Sequence, residues 1–250
     1  MSAGAGRRMQ NFKLTIEYDG TAYHGWQRQA EASSVQAELE RALEGMTRSP
    51  ITVTGAGRTD AGVHALGQVA NFRCATRLTS EAILKGLNSL LPGDIAIRDC
   101  TLAPGDFHAR FDARSKRYHY RILNRAARAA VGRNYAWFLH RPLDVEAMGQ
   151  AAERLIGRHD FKAFESAGSP RAHTRRHVMA ADWVEGPDRR LTFRIEADGF
   201  LRGMVRNIVG TLVGVGLGKL EPRQVEAILA SRDRRRAGAT APARGLFLVE

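Results

Sequence analysis

Two cysteines in 250 residues, Cys74 and Cys100, form no CxxC pair. A disulfide framework or a zinc ribbon is thereby excluded as the basis of the fold, and a reducing cytosol fits. Long apolar runs are equally scarce. The longest, Ile208 to Gly218, is too short and too rich in glycine to cross a bilayer, and Met1 to Gln10 lacks the apolar region of a secretory signal. His24, His64, His108, His119 and His173 stand at no metal-ligand spacing with cysteine or carboxylate. There is no GxSxG and no evident Ser/His/Asp set. Gly55-Ala-Gly57 opens like a dinucleotide loop, but Asp60 takes the third glycine's place and a strand, not a helix, is predicted to follow. These absences predict a soluble, cytoplasmic protein without membrane attachment or a zinc site.

What is present in excess is positive charge. Against 26 acidic residues stand 38 Lys plus Arg, a formal net of +12, although only five of the 38 are lysines. Hydrophobic content of 44% and charged content of 26% are ordinary for a globular chain. Such a balance fits a polyanionic partner such as nucleic acid or an anionic membrane surface, with nucleic acid ahead of a generic basic surface.

Periodicity places the elements. After a tail over residues 1–10, Phe12 to Tyr18 alternates as a half-buried strand and ends at Asp19-Gly20. Ser33 with Gln36 has the capping-box pattern before a helix over Ser34 to Gly45, and Thr79 to Leu91 is a second helix stopped by Pro92-Gly93. Strands are predicted at Ile51 to Thr54, Gln68 to Cys74 and Asp94 to Thr101, so the first hundred residues read β-α-β-β-α-β. Pro104-Gly105-Asp106 is the best candidate boundary, dividing the chain into halves at 11–105 and 106–250. The second half repeats strand, helix, hairpin, helix, strand. Its helices are Leu143 to Gly157, with Asp144 as N-cap, Met204 to Gly216 and Pro222 to Ala230. Its hairpin joins Ala181–Val184 to Leu191–Ile195, and its last strand is Leu246 to Val249.

The chemistry concentrates in Thr54 to Gln68. Its glycines surround one carboxylate, Asp60, with Arg58 two residues before it and His64 four after. Glycine lets backbone approach a ligand, and a neighbouring Arg58 would hold Asp60 ionised, lowering a carboxylate pKa by roughly one to three units. An ionised, positioned carboxylate serves as nucleophile or base. The other reading is a glycine-rich turn that Asp60 and Arg58 merely cap and solvate.

Three further stretches bear on that choice. Between Phe107 and Leu123 basic and aromatic residues interleave, with Tyr118, Tyr120 and Ile122 on one strand face and Arg117, His119 and Arg121 on the other. That face either stacks on bases beside phosphate-binding cations or is an edge strand whose tyrosines enter the core. Phe161 to Arg176 is predicted as a long polar loop with Gly168-Ser-Pro170 and the cations Arg171, Arg175 and Arg176. Arg206 lies within the apolar helix from Met204 and needs a carboxylate there. The candidates are Asp60 and the nearer Glu196 or Asp198.

Gly57-Arg-Thr-Asp-Ala-Gly-Val-His64 resembles the signature of the TruA family of tRNA pseudouridine synthases. Matching segments run along the chain in order: Glu17-Tyr-Asp-Gly20, Gly25-Trp-Gln-Arg28, Leu91-Pro-Gly-Asp94, Asp106-Phe-His-Ala-Arg110, Met204-Val-Arg-Asn-Ile-Val-Gly210 and Gly245-Leu-Phe-Leu248. The resemblance implies an α+β pseudouridine synthase fold, two ferredoxin-like halves forming one continuous, mainly antiparallel sheet with a central cleft. It also implies a cofactor-free, homodimeric isomerase that converts uridine to pseudouridine at positions 38, 39 and 40 of the tRNA anticodon stem-loop. By the same resemblance Asp60 is the nucleophile, Tyr118 contacts the uracil, Arg206 pairs with the nucleophile, Arg58 contacts RNA around the flipped base, and Leu246 packs beneath it. His64 receives no catalytic role. The competing expectation is a non-catalytic RNA-binding or RNA-folding protein on the same scaffold.

Overall fold

In the computed structural model, which describes residues 9–168 and 173–250, the chain divides into two compact units, Met1–Ala113 with Glu250 and Arg114–Val249. The division falls after Ala113, not after residue 105. The side-chain amide of Asn11 donates to the carbonyls of Pro104 (2.8 Å) and Phe107 (2.9 Å), and Ala109 N–H donates to Asn71 Oδ1 (2.9 Å), so residues 104–109 are tied to the N-terminal sheet. Residues 1–8 of the expected tail, and Ser169, Pro170 and Arg171 of the expected loop, lie outside the described residues. Met9 and Gln10 already belong to the first strand.

The N-terminal unit runs β1 (Met9–Tyr18), α1 (Val35–Thr47), β2 (Thr54–Gly55), β3 (His64–Ala75), α2 (Ser80–Leu90) and β4 (Ile95–Ala103). Its antiparallel sheet has the order β4-β1-β3, with β2 on the side of β3 away from β1. This is the 4-1-3-2 order of a ferredoxin-like unit. Even-numbered residues of the two long strands, Phe12, Leu14, Ile16, Ala70 and Phe72, are buried on one face, as period-two patterning requires. The cap of α1 is Ser34, accepting from Ala37 N–H, whereas Ser33 donates its hydroxyl to the Ala22 carbonyl and is unavailable.

The C-terminal unit contains β5 (Lys116–Asn124), β6 (Trp137–Leu139), α3 (Val145–Glu153), β7 (Gly157–Asp160), β8 (Arg175–Gly186), β9 (Arg190–Ala197), α4 (Met204–Gly216), α5 (Gln224–Ser231) and β10 (Leu246–Leu248). Within the unit the antiparallel order is β10-β5-β9-β8-β7, with β6 parallel to β5. Without β6 and β7 this is again 4-1-3-2. The α+β class with mainly antiparallel strands therefore holds in both units.

Two expectations for this unit change. Gly157 does not stop a helix; its φ of +109° lets the chain turn directly into β7. Phe161 to Arg176 is not all polar loop, because Phe161, Ala163 and Phe164 are buried in a tight turn and Arg175 and Arg176 open β8.

Among the described residues no helix is long and apolar enough to cross a membrane, and no group of three or more His, Cys, Asp or Glu is placed to hold a metal. Both thiols are buried, and burial pushes Cys100 up to about 11.

Candidate active site

Asp60 stands half-buried in the loop between β2 and β3, and each turn of that loop is held. On one side Gln68 donates its side-chain amide to the Gly57 carbonyl (2.7 Å), while Ala56 N–H donates to the Val69 carbonyl (2.7 Å). From beneath, the buried Tyr18 hydroxyl meets Thr59 Oγ1 at 2.8 Å. Burial pushes the Tyr18 phenol well above its ordinary range, so it stays neutral and serves as a hydrogen-bonding post. Trp26 N–H donates to the Thr59 carbonyl (3.1 Å), and Val63 N–H closes a turn onto the Asp60 carbonyl (3.1 Å). Gly25 permits this approach: a methyl group there would lie 2.5 Å from Thr59 O, and its φ is +98°. A carboxylate on a loop held at Gly57, Thr59 and the Asp60 carbonyl is pre-positioned, as a nucleophile needs to be.

Two neighbours of Asp60 differ from expectation. Because Thr59 turns inward to Tyr18, Arg58 is left exposed, and among the described residues it forms no ion pair with Asp60. Its guanidinium is instead presented to solvent. His64 opens β3 rather than lying in the loop; it is 2% exposed, accepts from Gly20 N–H at Nδ1 (3.1 Å), and holds the Asp19-Gly20 turn against the strand. That is a structural role.

In the C-terminal unit, Tyr118 and Leu246 lie on one face of the sheet. Leu248 is the register partner of Tyr118 and Leu246 that of Tyr120, so Tyr118, Tyr120, Leu246 and Leu248 form a buried apolar patch across β5 and β10. Tyr118 meets Phe200 edge-on at 5.1 Å. Strand β5 is interior, paired on both sides, so Tyr120 is a core residue and not a base-stacking ring. Its hydroxyl donates to the Pro242 carbonyl (2.7 Å). On the opposite face Arg117 pairs with Glu196 (2.9 Å), and Arg121 lies 4.0 Å from the centre of the Phe247 ring.

Arg206 occupies the first turn of α4, where a cation opposes the helix dipole at a cost of about 0.3–1 kcal/mol. Its Nε donates to the Ala241 carbonyl (2.8 Å), and Ala241 N–H donates back to the Arg206 carbonyl (3.1 Å). This exchange fixes the plane of the guanidinium. The nearby acids are otherwise engaged: Glu196 accepts from Arg117 and Ser115, and Asp198 from His177 N–H, and among the described residues neither pairs with Arg206. Sequence reading missed the supports Tyr18, Gln68 and Ala241, whose roles arise from strand register and carry no local motif.

A sequence model of a protein family described as tRNA pseudouridine synthase matches residues 14–112 and 151–250. The matched stretches hold Arg58, Asp60, Arg206 and Leu246, and Tyr118 lies between them. The chain is similar to proteins named tRNA pseudouridine synthase A from Thermoanaerobacter pseudethanolicus (47% identical over 242 residues, 97% of this chain and 99% of the relative) and Moorella thermoacetica (48% over 243 residues, 96% and 98%). The protein of that name from Myxococcus xanthus is 46% identical over 244 residues, 97% of this chain and 91% of its own length.

Proposed function

The chain belongs to the tRNA pseudouridine synthase family, and from that membership we propose that it isomerises uridine to pseudouridine at positions 38 to 40 of the tRNA anticodon stem-loop, with Asp60 as nucleophile. The match across both units carries this reading. A target base inside a stem-loop has to leave its stack, which costs a few kcal/mol and requires contacts that hold the extruded nucleotide. Arg58, exposed beside the loop, supplies a cation for the phosphates around it, while Tyr118 and Leu246 offer a flat ring and an apolar floor to the uracil.

Asp60 attacks either C1′ of the sugar or C6 of the base, and the bond between N1 and C1′ breaks. The uracil turns in place, a bond forms between C5 and C1′, the carboxylate is released, the C5 proton is lost to a base and N1 takes up a proton. The product has the atoms of the substrate, so no redox partner or cofactor enters. Arg206, whose Nε is held by the Ala241 carbonyl, is the cation that pairs with Asp60 and aims it. Homodimeric assembly and a cytoplasmic location belong to the same reading, the first checked by sedimentation equilibrium.

The deciding experiment is pseudouridine mapping on an anticodon stem-loop RNA with wild type and Asp60→Asn. Loss of product with RNA affinity kept within a few-fold is expected. Product formed at the wild-type rate by the variant would remove Asp60 from the chemistry, and RNA binding without product from wild type would favour a non-catalytic binder.

A further inference from the structure

The loop that follows β4 carries an aromatic side chain that the core does not use. Phe111 is 73% exposed. Its ring packs on the His108 imidazole at a tilt of 33°, with centroids 4.3 Å apart, and the Arg110 guanidinium carbon lies over the ring, 5.6 Å from its centre. A single exposed phenylalanine is ordinary on a protein surface. The way this one is held is not.

The loop is braced from within. Phe111 N–H and Asp112 N–H both donate to the His108 carbonyl (3.0 Å each), His108 N–H donates to the Asp112 carboxylate (2.8 Å), and Arg110 N–H donates to His108 Nδ1 (3.2 Å). It is also braced from beneath by two buried amides. Asn11 and Asn71 are 4% and 5% exposed; Asn71 donates to Asn11 Oδ1, both donate to loop carbonyls, and Asn71 Oδ1 accepts from Ala109 N–H. Buried polar groups are costly unless every partner is met, so two of them committed to this loop fix where Phe111 stands. Sequence neighbours His108, Arg110, Asp112 and Arg114 are polar, which makes the surroundings unlike an apolar protein interface. A fixed, exposed ring with a guanidinium that makes no ion pair among the described residues is instead the chemistry of a base-stacking platform, in which the ring takes the base and the cation its phosphate.

We infer that Phe111, backed by His108 and flanked by Arg110, stacks on an unpaired base of the RNA substrate, a second nucleotide contact separate from the extruded uridine. This rests on the tRNA-modifying reading above. The loop's anchor, Asn71, pairs in register with Thr54 at the entry to the Asp60 loop, and Gln68, three residues earlier on β3, holds that loop through Gly57. The two anchors are therefore about 10 Å apart along one strand, so a base on Phe111 and a nucleotide at Asp60 fall within one stem-loop. The inference concerns affinity and placement of the RNA, not the chemical step.

The test uses anticodon stem-loop RNAs that each carry one 2-aminopurine in the loop, titrated with wild type, Phe111→Trp and Phe111→Leu. Stacking is expected to quench fluorescence at one loop position with wild type and Phe111→Trp, and to be lost with Phe111→Leu, whose KM for unmodified RNA rises about ten-fold with a smaller change in kcat. All three proteins should melt at the same temperature, because the ring is outside the core. Quenching and KM for Phe111→Leu equal to wild type, in an enzyme that forms pseudouridine, would overturn the platform alone. Failure of the wild type to form pseudouridine on these RNAs would overturn the functional reading and this inference with it.

Discussion

The indole of Trp26 covers Gly55 so closely that a methyl group on that glycine would lie 2.6 Å from Trp26 Cε2. The same residue's backbone N–H holds the Thr59 carbonyl at 3.1 Å. One side chain and one amide from the segment after β1 thus set both the entry and the middle of the Asp60 loop, and the glycines make the contact possible rather than loose.

Gly25→Ala is the most direct probe of that packing. The added methyl meets Thr59 O at 2.5 Å in a residue with φ of +98°, so backbone has to shift beneath Asp60. A stability loss of about 1–3 kcal/mol is expected, with a fall in single-turnover rate of at least about ten-fold. Urea unfolding and rapid-quench kinetics on one RNA check both parts.

Arg206→Leu removes the guanidinium that Ala241 orients. A decrease in turnover on the order of 100-fold is expected if that cation serves the nucleophile, and Arg206→Lys, which keeps the charge but loses the Nε bond to Ala241, should recover part of it. An unchanged rate in Arg206→Leu would show that Asp60 works without it.

RNA affinity should fall linearly with salt on logarithmic axes, as phosphate contacts release counterions. Arg58 is exposed and has no carboxylate to leave. Arg58→Gln is therefore expected to reduce the slope by about one unit, read from filter binding at several ionic strengths. An unaltered slope would take Arg58 off the phosphate backbone.

His119 provides a pH test. Burial, and after it the charges of Arg121, Arg194 and Arg117, hold its imidazole below the ordinary range. The unfolded chain then binds the proton more readily than the folded one, so stability tied to this histidine is present above the unfolded pKa of about 6.5 and is lost as pH falls through it. His119→Gln should flatten that part of the profile. The check is chemical denaturation of both proteins from pH 7.5 to pH 5.

Much of this was legible in the order of residues. Periodicity alone located α4, Met204–Gly216, residue for residue, and came within two residues for α1 and one for α2. Helices are local: their hydrogen bonds join neighbours, and their caps, Ser34, Thr79 and Asp144, lie one residue away. The glycine-flanked Asp60 was likewise visible as a motif.

What only the tertiary structure decided is which groups meet across the chain. No pattern in the sequence distinguishes an edge strand from an interior one, so the burial of Tyr120 followed only from β5 being paired on both sides. Arg58 and Asp60 are two residues apart, yet Thr59 turning inward to Tyr18 leaves Arg58 facing water. Tyr18 reaches Thr59 across 41 positions and, in the other unit, Arg206 reaches Ala241 across 35. Such long-range contacts depend on register and packing, which a sequence constrains only as a whole, whereas the Asp60 loop itself was written in fifteen consecutive residues.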